Sequence, residues 1–188
     1  MHLTGTVSST RPLLVAALPE EAAYFGPALP ILITGVGKHC ATLSVTRLLA
    51  LGEKPSEIIN LGTAGALRSG FSGIHEISTV IQHDFDTAGI FALTGYTFGD
   101  PIALRPQGPV LATGDVFVSD PVLRTALAQR ADLVDMEGYA VAAAAAAFGV
   151  PTRIVKHVSD DADGDAARTW TSAVDECARA LAGWLAVS

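Results

Sequence analysis

Cysteine is nearly absent from this 188-residue chain. Cys40 and Cys177 stand far apart, with no CxxC and no Cys/His spacing. Their scarcity excludes a disulfide framework and a zinc site, and no metal is expected. It also fits a reducing compartment. Charge is sparse as well: 12 Lys and Arg against 19 Asp and Glu leave a net charge of −7, and charged residues are only 16% of the chain. No Lys/Arg cluster occurs, which argues against nucleic acid and against an anionic membrane as partners. Apolar runs of membrane-spanning length are missing too. Residues 1–10 are polar and small, and the run Pro12–Leu18 meets Glu20 and Glu21 too soon for a signal-peptide core. A cytoplasmic protein is the expectation.

What is plentiful is apolar surface, at 49% of residues. So little charge on so apolar a chain suggests that a partner covers part of the surface, most simply in a homodimer. A well-filled α/β core is the plainer explanation. The length suits one domain, here placed at 12–188 behind a flexible N-terminal segment over 1–11.

Short apolar runs at 13–17, 31–34 and 57–61 predict buried strands, the last broken by the turn Gly62-Thr-Ala-Gly65. The spacing over 38–51 predicts a helix, stopped by Gly52 and Pro55. Further strands are expected within 76–82 and 110–112, then a long loop with a short strand across 83–107. Helices are expected at 121–130, 138–148 and 173–187, with strands at 133–135 and 152–158. Six successive alanines, Ala142 to Ala147, favour the second of these helices. Apolar rather than alternating strands, interleaved with helices, indicate an α/β domain whose sheet is covered on both faces.

Carboxylates gather where strands end. Glu20 and Glu21 follow the first strand, Asp135 and Glu137 a later one, and Asp160, Asp161 and Asp163 the last. Buried acids there are costly unless they are used or paired. A helix-dipole role is the plain alternative for Glu20 and Glu21. Asp135 and Glu137 lie on one side of an extended segment, and few cations are near them in sequence to form a structural salt bridge. Ser159-Asp-Asp-Ala-Asp163 does not meet the EF-hand pattern. Gly35-Val-Gly-Lys-His-Cys-Ala41 carries only part of a dinucleotide fingerprint, and no cofactor is expected from it. The turn Gly62–Gly65 reads either as an anion-binding turn or as a tight connection.

The order of these segments resembles the purine nucleoside phosphorylase/nucleosidase superfamily, and within it the 5′-methylthioadenosine/S-adenosylhomocysteine nucleosidases. The matching segments are Ala17-Leu-Pro-Glu-Glu21, Gly35-Val-Gly-Lys38, Asn60-Leu-Gly-Thr-Ala-Gly65, His83-Asp-Phe-Asp86, Thr113-Gly-Asp-Val-Phe-Val118, Val134-Asp-Met-Glu137 and Val158-Ser-Asp160. They stand in collinear order, and the resemblance covers roughly residues 13 to 185. The resemblance implies a three-layer α/β/α fold around a central twisted mixed sheet, and a purine nucleoside as substrate. It gives Glu21 the activation of water and Asp160 the leaving base, with Ser159 orienting Asp160. Glu137 would hold the ribose hydroxyls with Met136 against the sugar. Phe117 would stack near the purine, Val118 would offer backbone groups to its edge, and Thr63, Ala64 and Gly65 would line the site. Phe91, Tyr96 and Phe98 fall where family members complete the neighbouring subunit's site, in line with a homodimer.

Cleavage of an N-glycosidic bond builds positive charge on the sugar and negative charge on the departing base. An acid at the base, and a carboxylate with water across the sugar, meet both needs. Phosphorolysis requires cations for the dianion, and the strand ends carry acids in their place, so hydrolysis is favoured. The chain departs from the family between Glu21 and Gly35, which is too short for the usual strand hairpin, and between Val118 and Leu133, which is compact. Lys156 also stands where arginine is commoner. Alternatives are a phosphorylase, a hydrolase of another nucleoside such as futalosine, and a nucleoside-binding protein without turnover.

Overall fold

The computed structural model describes residues 1–187. At its centre is β4 (Ile58–Ala66), which pairs in parallel with β2 (Leu13–Ala16) and with β10 (Thr152–Asp160), and antiparallel with β9 (Leu133–Asp135). Beyond β2 come β3 (Ile31–Ile33), in parallel, and then β1 (His2–Thr4), antiparallel. Beyond β9 the sheet continues in parallel through β8 (Val110–Thr113) and β6 (Thr79–Gln82), and ends at antiparallel β7 (Ile102–Ala103). A short β5 (Ile74–Glu76) runs antiparallel to β10.

Alternate side chains along the strands bury into two different cores, as the period of two requires. Leu13 and Val15 meet α1 (Lys38–Leu51) and α4 (Gly138–Ala147) through Val45, Leu48, Val141 and Ala145. Leu14, Ile59 and Val155 meet the other layer, where α5 (Ala166–Leu185) supplies Leu181. The same alternation at the far end sets Leu133 against Ala142 of α4, and Val134 against Leu127 of α3 (Pro121–Leu127). The result is the α/β/α sandwich with a mixed sheet that the resemblance implies.

Departures from the sequence reading have local causes. Residues 62–65 are not a turn but the second half of β4, because β10 pairs with them through Gly65. The 76–82 run divides at Ser78, whose hydroxyl donates to the Gly108 and Pro109 carbonyls and pins a bend there. Within the expected 83–107 loop lies α2 (Thr87–Thr94), capped by Asp86, which accepts from the Gly89 N–H at 2.9 Å. Helix α5 starts seven residues before Ala173, since its first turns are polar and carry no apolar stripe. In the segment expected to be flexible, His2–Thr4 take the antiparallel edge position beside β3. The connection from β2 to β3, residues 17–30, holds no strand among the described residues.

Candidate active site

Three carboxylates converge from three strand ends on one cavity of about 320 Å³. After β2 the chain turns at Leu18, with the Glu21 N–H donating to the Leu18 carbonyl at 3.2 Å. That turn folds the Glu21 side chain back under the strand. Its Oε2 accepts from the Ala17 and Leu18 N–H groups, both at 3.2 Å. Its Oε1 accepts from the Thr63 N–H at 2.8 Å and the Thr63 hydroxyl at 3.0 Å. Four donors thus surround the buried carboxylate, as a charge away from water requires. Glycine at position 62 makes the approach possible, because a Cβ there would lie 2.9 Å from Glu21 Oε1.

Asp160 closes β10 after a bulge that shifts its register between Val158 and Asp160. Such a bulge re-aims side chains at a strand end, and here it turns Ser159 and Asp160 toward the cavity. Ser159 Oγ donates to Asp160 Oδ2 at 2.8 Å, and the Ala162 N–H donates to Oδ1 at 2.9 Å. Ala162 adopts a positive φ of 48° to present that N–H. Burial pushes the Asp160 carboxyl above its ordinary range, although both hydrogen bonds oppose the shift. Gly65, its neighbour on β4, has no room for a side chain: a Cβ would stand 2.9 Å from Asp160 Oδ1 and 3.1 Å from the Ala162 methyl. Gly65→Ala is therefore expected to displace the carboxyl and lower turnover by about tenfold or more. Steady-state rates alongside a melting curve will separate this effect from a folding defect.

Asp135 and Glu137 do not act as a pair. Asp135 is also in the cavity wall, but its buried carboxylate is taken up by Lys156 from β10, at 2.9 Å. It also accepts from the Thr113 hydroxyl at 2.6 Å and from the Gly138 N–H at 2.8 Å, fixing the start of α4. The cation missing from the local sequence comes from two strands away in the sheet. Glu137 stands at the α4 N-cap and accepts from the Gly37 N–H at 2.8 Å. Gly37 holds a positive φ of 94°, a conformation glycine adopts without strain. Next to it, Lys38 binds Asp84, and its N–H donates to Asp115 at 2.7 Å, fastening the head of α1 to the loop after β8.

Burial, and then the Asp135 charge, push the Glu137 carboxyl up to about 8, with Lys156 and the Gly37 N–H opposing. A carboxyl raised on folding binds extra protons in the folded state, so stability falls as pH rises between the unfolded and folded values. The free protein is expected to lose thermal stability from about pH 4.5, the ordinary value, to about pH 8. Glu137→Gln should flatten that slope, which melting curves across the range will check.

All ten residues that the sequence singles out line this cavity: Glu21, Thr63, Ala64, Gly65, Phe117, Val118, Met136, Glu137, Ser159 and Asp160. Phe117 is exposed and Val118 is buried. The sequence reading missed Trp170, also in the wall, whose indole N–H donates to Thr63 Oγ1 at 2.8 Å. It sits in the polar opening of α5, ahead of the amphipathic pattern, and nothing but its being aromatic marks it. Val36, Leu18 and Val116 add apolar wall. Among the described residues no Lys, Arg or His lines the cavity. Among the described residues no cluster of His, Cys, Asp or Glu could hold a metal ion.

A family model described as the phosphorylase superfamily matches residues 102–184. The 5′-methylthioadenosine/S-adenosylhomocysteine nucleosidase of Haemophilus ducreyi is 31% identical over 167 residues, covering 76% of this chain and 72% of its own. Among solved structures, a futalosine hydrolase mutant of Helicobacter pylori superposes with a TM-score of 0.83 at 21% identity, covering 94% of this chain and 96% of that one. A Helicobacter pylori 5′-methylthioadenosine/S-adenosylhomocysteine nucleosidase gives a TM-score of 0.82 at 21% identity, covering 95% and 97%. At that identity the two structures speak for the fold alone.

Proposed function

The chain belongs to the 5′-methylthioadenosine/S-adenosylhomocysteine nucleosidase family of the phosphorylase superfamily, and from that premise we propose that it hydrolyses the N-glycosidic bond of a purine nucleoside. One observation carries the reading: three buried acids in one cavity have three different hydrogen-bond environments. Asp160, whose carboxyl burial pushes upward, stands as the acid to deliver or share a proton as the base departs. Glu21, surrounded by donors, takes the part of the acceptor that orients and deprotonates water. Glu137 binds the sugar hydroxyls and so anchors the ring while its charge changes. Phe117 and Val118 offer a face and backbone groups to the purine, and Met136 packs on the sugar.

Water rather than phosphate is the nucleophile. A phosphate dianion needs cations close by, and this cavity offers carboxylates in their place. The same absence of lining cations favours an apolar 5′ substituent, such as methylthio, over an anionic one. Base release from methylthioadenosine, adenosylhomocysteine, adenosine, inosine and futalosine tests this. Methylthioadenosine should be the preferred substrate. Turnover of futalosine alone would replace the substrate assignment, and binding of all five without turnover would make the protein a non-catalytic binder.

The protein acts as a homodimer in this reading. Helix α2 is apolar, yet none of its residues is buried; Phe91 and Leu93 stand exposed, with Tyr96 and Phe98 just beyond. Phe117 and Val116 add exposed apolar surface at the cavity wall. Apolar surface of this extent is a mark of association. Sedimentation should give twice the chain mass, and Phe91→Asp with Leu93→Asp should yield monomers with reduced turnover. No helix among the described residues is long and apolar enough to cross a membrane. Cys40 and Cys177 are free thiols, in keeping with a cytoplasmic salvage enzyme.

A further inference from the structure

Trp170 stands in the second turn of α5, the helix that follows Asp160, and is half-buried in the cavity wall. Its indole N–H donates to Thr63 Oγ1 at 2.8 Å, and Thr63 Oγ1 donates to Glu21 Oε1 at 3.0 Å. An indole N–H can only donate, and a hydroxyl carries a single proton. Trp170 occupies one lone pair of the Thr63 oxygen, which bars the hydroxyl proton from that direction and favours its bond to Glu21.

The other donors to Glu21 are backbone N–H groups of Ala17, Leu18 and Thr63. They are fixed by β2, by the turn after it and by β4. The Thr63 hydroxyl is the one donor able to rotate away. We propose that Trp170 is a positioning residue for Glu21, acting through the Thr63 hydroxyl to hold the water-activating carboxylate in one orientation. The helix leading away from the acid at the base thereby also secures the carboxylate across the sugar. A half-buried indole N–H can bond to solvent without cost; this one is instead spent on the hydroxyl attached to Glu21.

This inference rests on the nucleosidase reading above. Its test is a double-mutant cycle of Trp170→Phe and Thr63→Val, with kcat and KM measured on methylthioadenosine or whichever nucleoside the wild type turns over. Phenylalanine keeps an aromatic wall for the substrate and removes the N–H. Trp170→Phe should lower kcat by about fivefold, the scale of one neutral hydrogen bond, with KM changed less than about twofold. Thr63→Val should lose at least as much, and the double variant no more than Thr63→Val alone. An unimpaired kcat in Trp170→Phe, or losses that multiply in the double variant, would overturn the proposal. Should the phenylalanine variant fail to fold, benzothienylalanine at position 170 poses the same question, because it keeps the bicyclic shape and lacks the N–H. A wild type inactive on every nucleoside counts against the nucleosidase reading. An active wild type, inactivated by Glu21→Gln but indifferent to Trp170→Phe, counts against this inference alone.

Discussion

Asp160→Asn is expected to lower kcat by about 10²–10⁴-fold, the range for loss of a general acid, while the folded protein and its affinity for the nucleoside persist. The amide oxygen can still accept from the Ala162 N–H, and the amide fits the same space beside Gly65. What it cannot do is give up a proton to a leaving base. The contrast between rate and binding is therefore the informative result: KM close to that of the wild type with kcat collapsed. Substrates whose base departs readily without protonation should be spared part of the loss. Equal losses on good and poor leaving groups would remove Asp160 from the role of acid.

Breaking the Lys156–Asp135 pair is expected to have the largest effect on stability. Both side chains are almost wholly withdrawn from solvent, at 2% and 1% exposure. Burial works against the Lys156 charge, but Asp135, then Glu137 and Glu21, outweigh it and hold its pKa above the ordinary lysine value. The lysine's contribution is thus present at neutral pH and is lost only as pH rises through that raised value. Lys156→Met leaves a buried carboxylate without its cation, a change that costs about 3–5 kcal/mol. For a chain of this size the melting temperature should fall by roughly 6–20 °C. Adding Asp135→Asn should recover much of the loss, since removing both charges is cheaper than stranding one. A Lys156→Met melt within about 3 °C of the wild type would show that the pair contributes little.

How much of this was legible beforehand depends on the range of each interaction. The buried strands β2, β3 and β9 and the helices α1 and α4 declare themselves through apolar pattern and glycine or proline stops, because burial and local backbone preference agree there. The layered sandwich follows from them. Residues 62–65 deceived, since two glycines in four residues read as a turn. Their reason is lateral: they clear space on an extended strand for Glu21 and Asp160, which arrive from other parts of the chain. Helix α2 was hidden for the opposite reason. None of its residues is buried, so no amphipathic pattern marks it.

The site shows the same division. The order of motifs picked out the three acids, because a family resemblance registers residues that share a cavity even when they are distant in sequence. Partners were not legible. Glu137 finds the N–H of Gly37, a hundred residues away, and Asp135 finds Lys156 across the sheet. Trp170 lies outside every motif and reaches Glu21 only through Thr63. Such contacts depend on strand order and on a bulge in β10, neither of which a single sequence states.

Hydrolysis assisted by three acids makes one demand that is directly measurable, namely where the new oxygen on the sugar comes from. Turnover of methylthioadenosine in ¹⁸O-labelled water, followed by mass spectrometry of the sugar with and without phosphate, gives the answer. One labelled oxygen should appear on the released sugar, at a rate indifferent to phosphate and abolished by Glu21→Gln. Phosphate-dependent turnover yielding an unlabelled sugar 1-phosphate would contradict the assignment of Glu21 and of the reaction together.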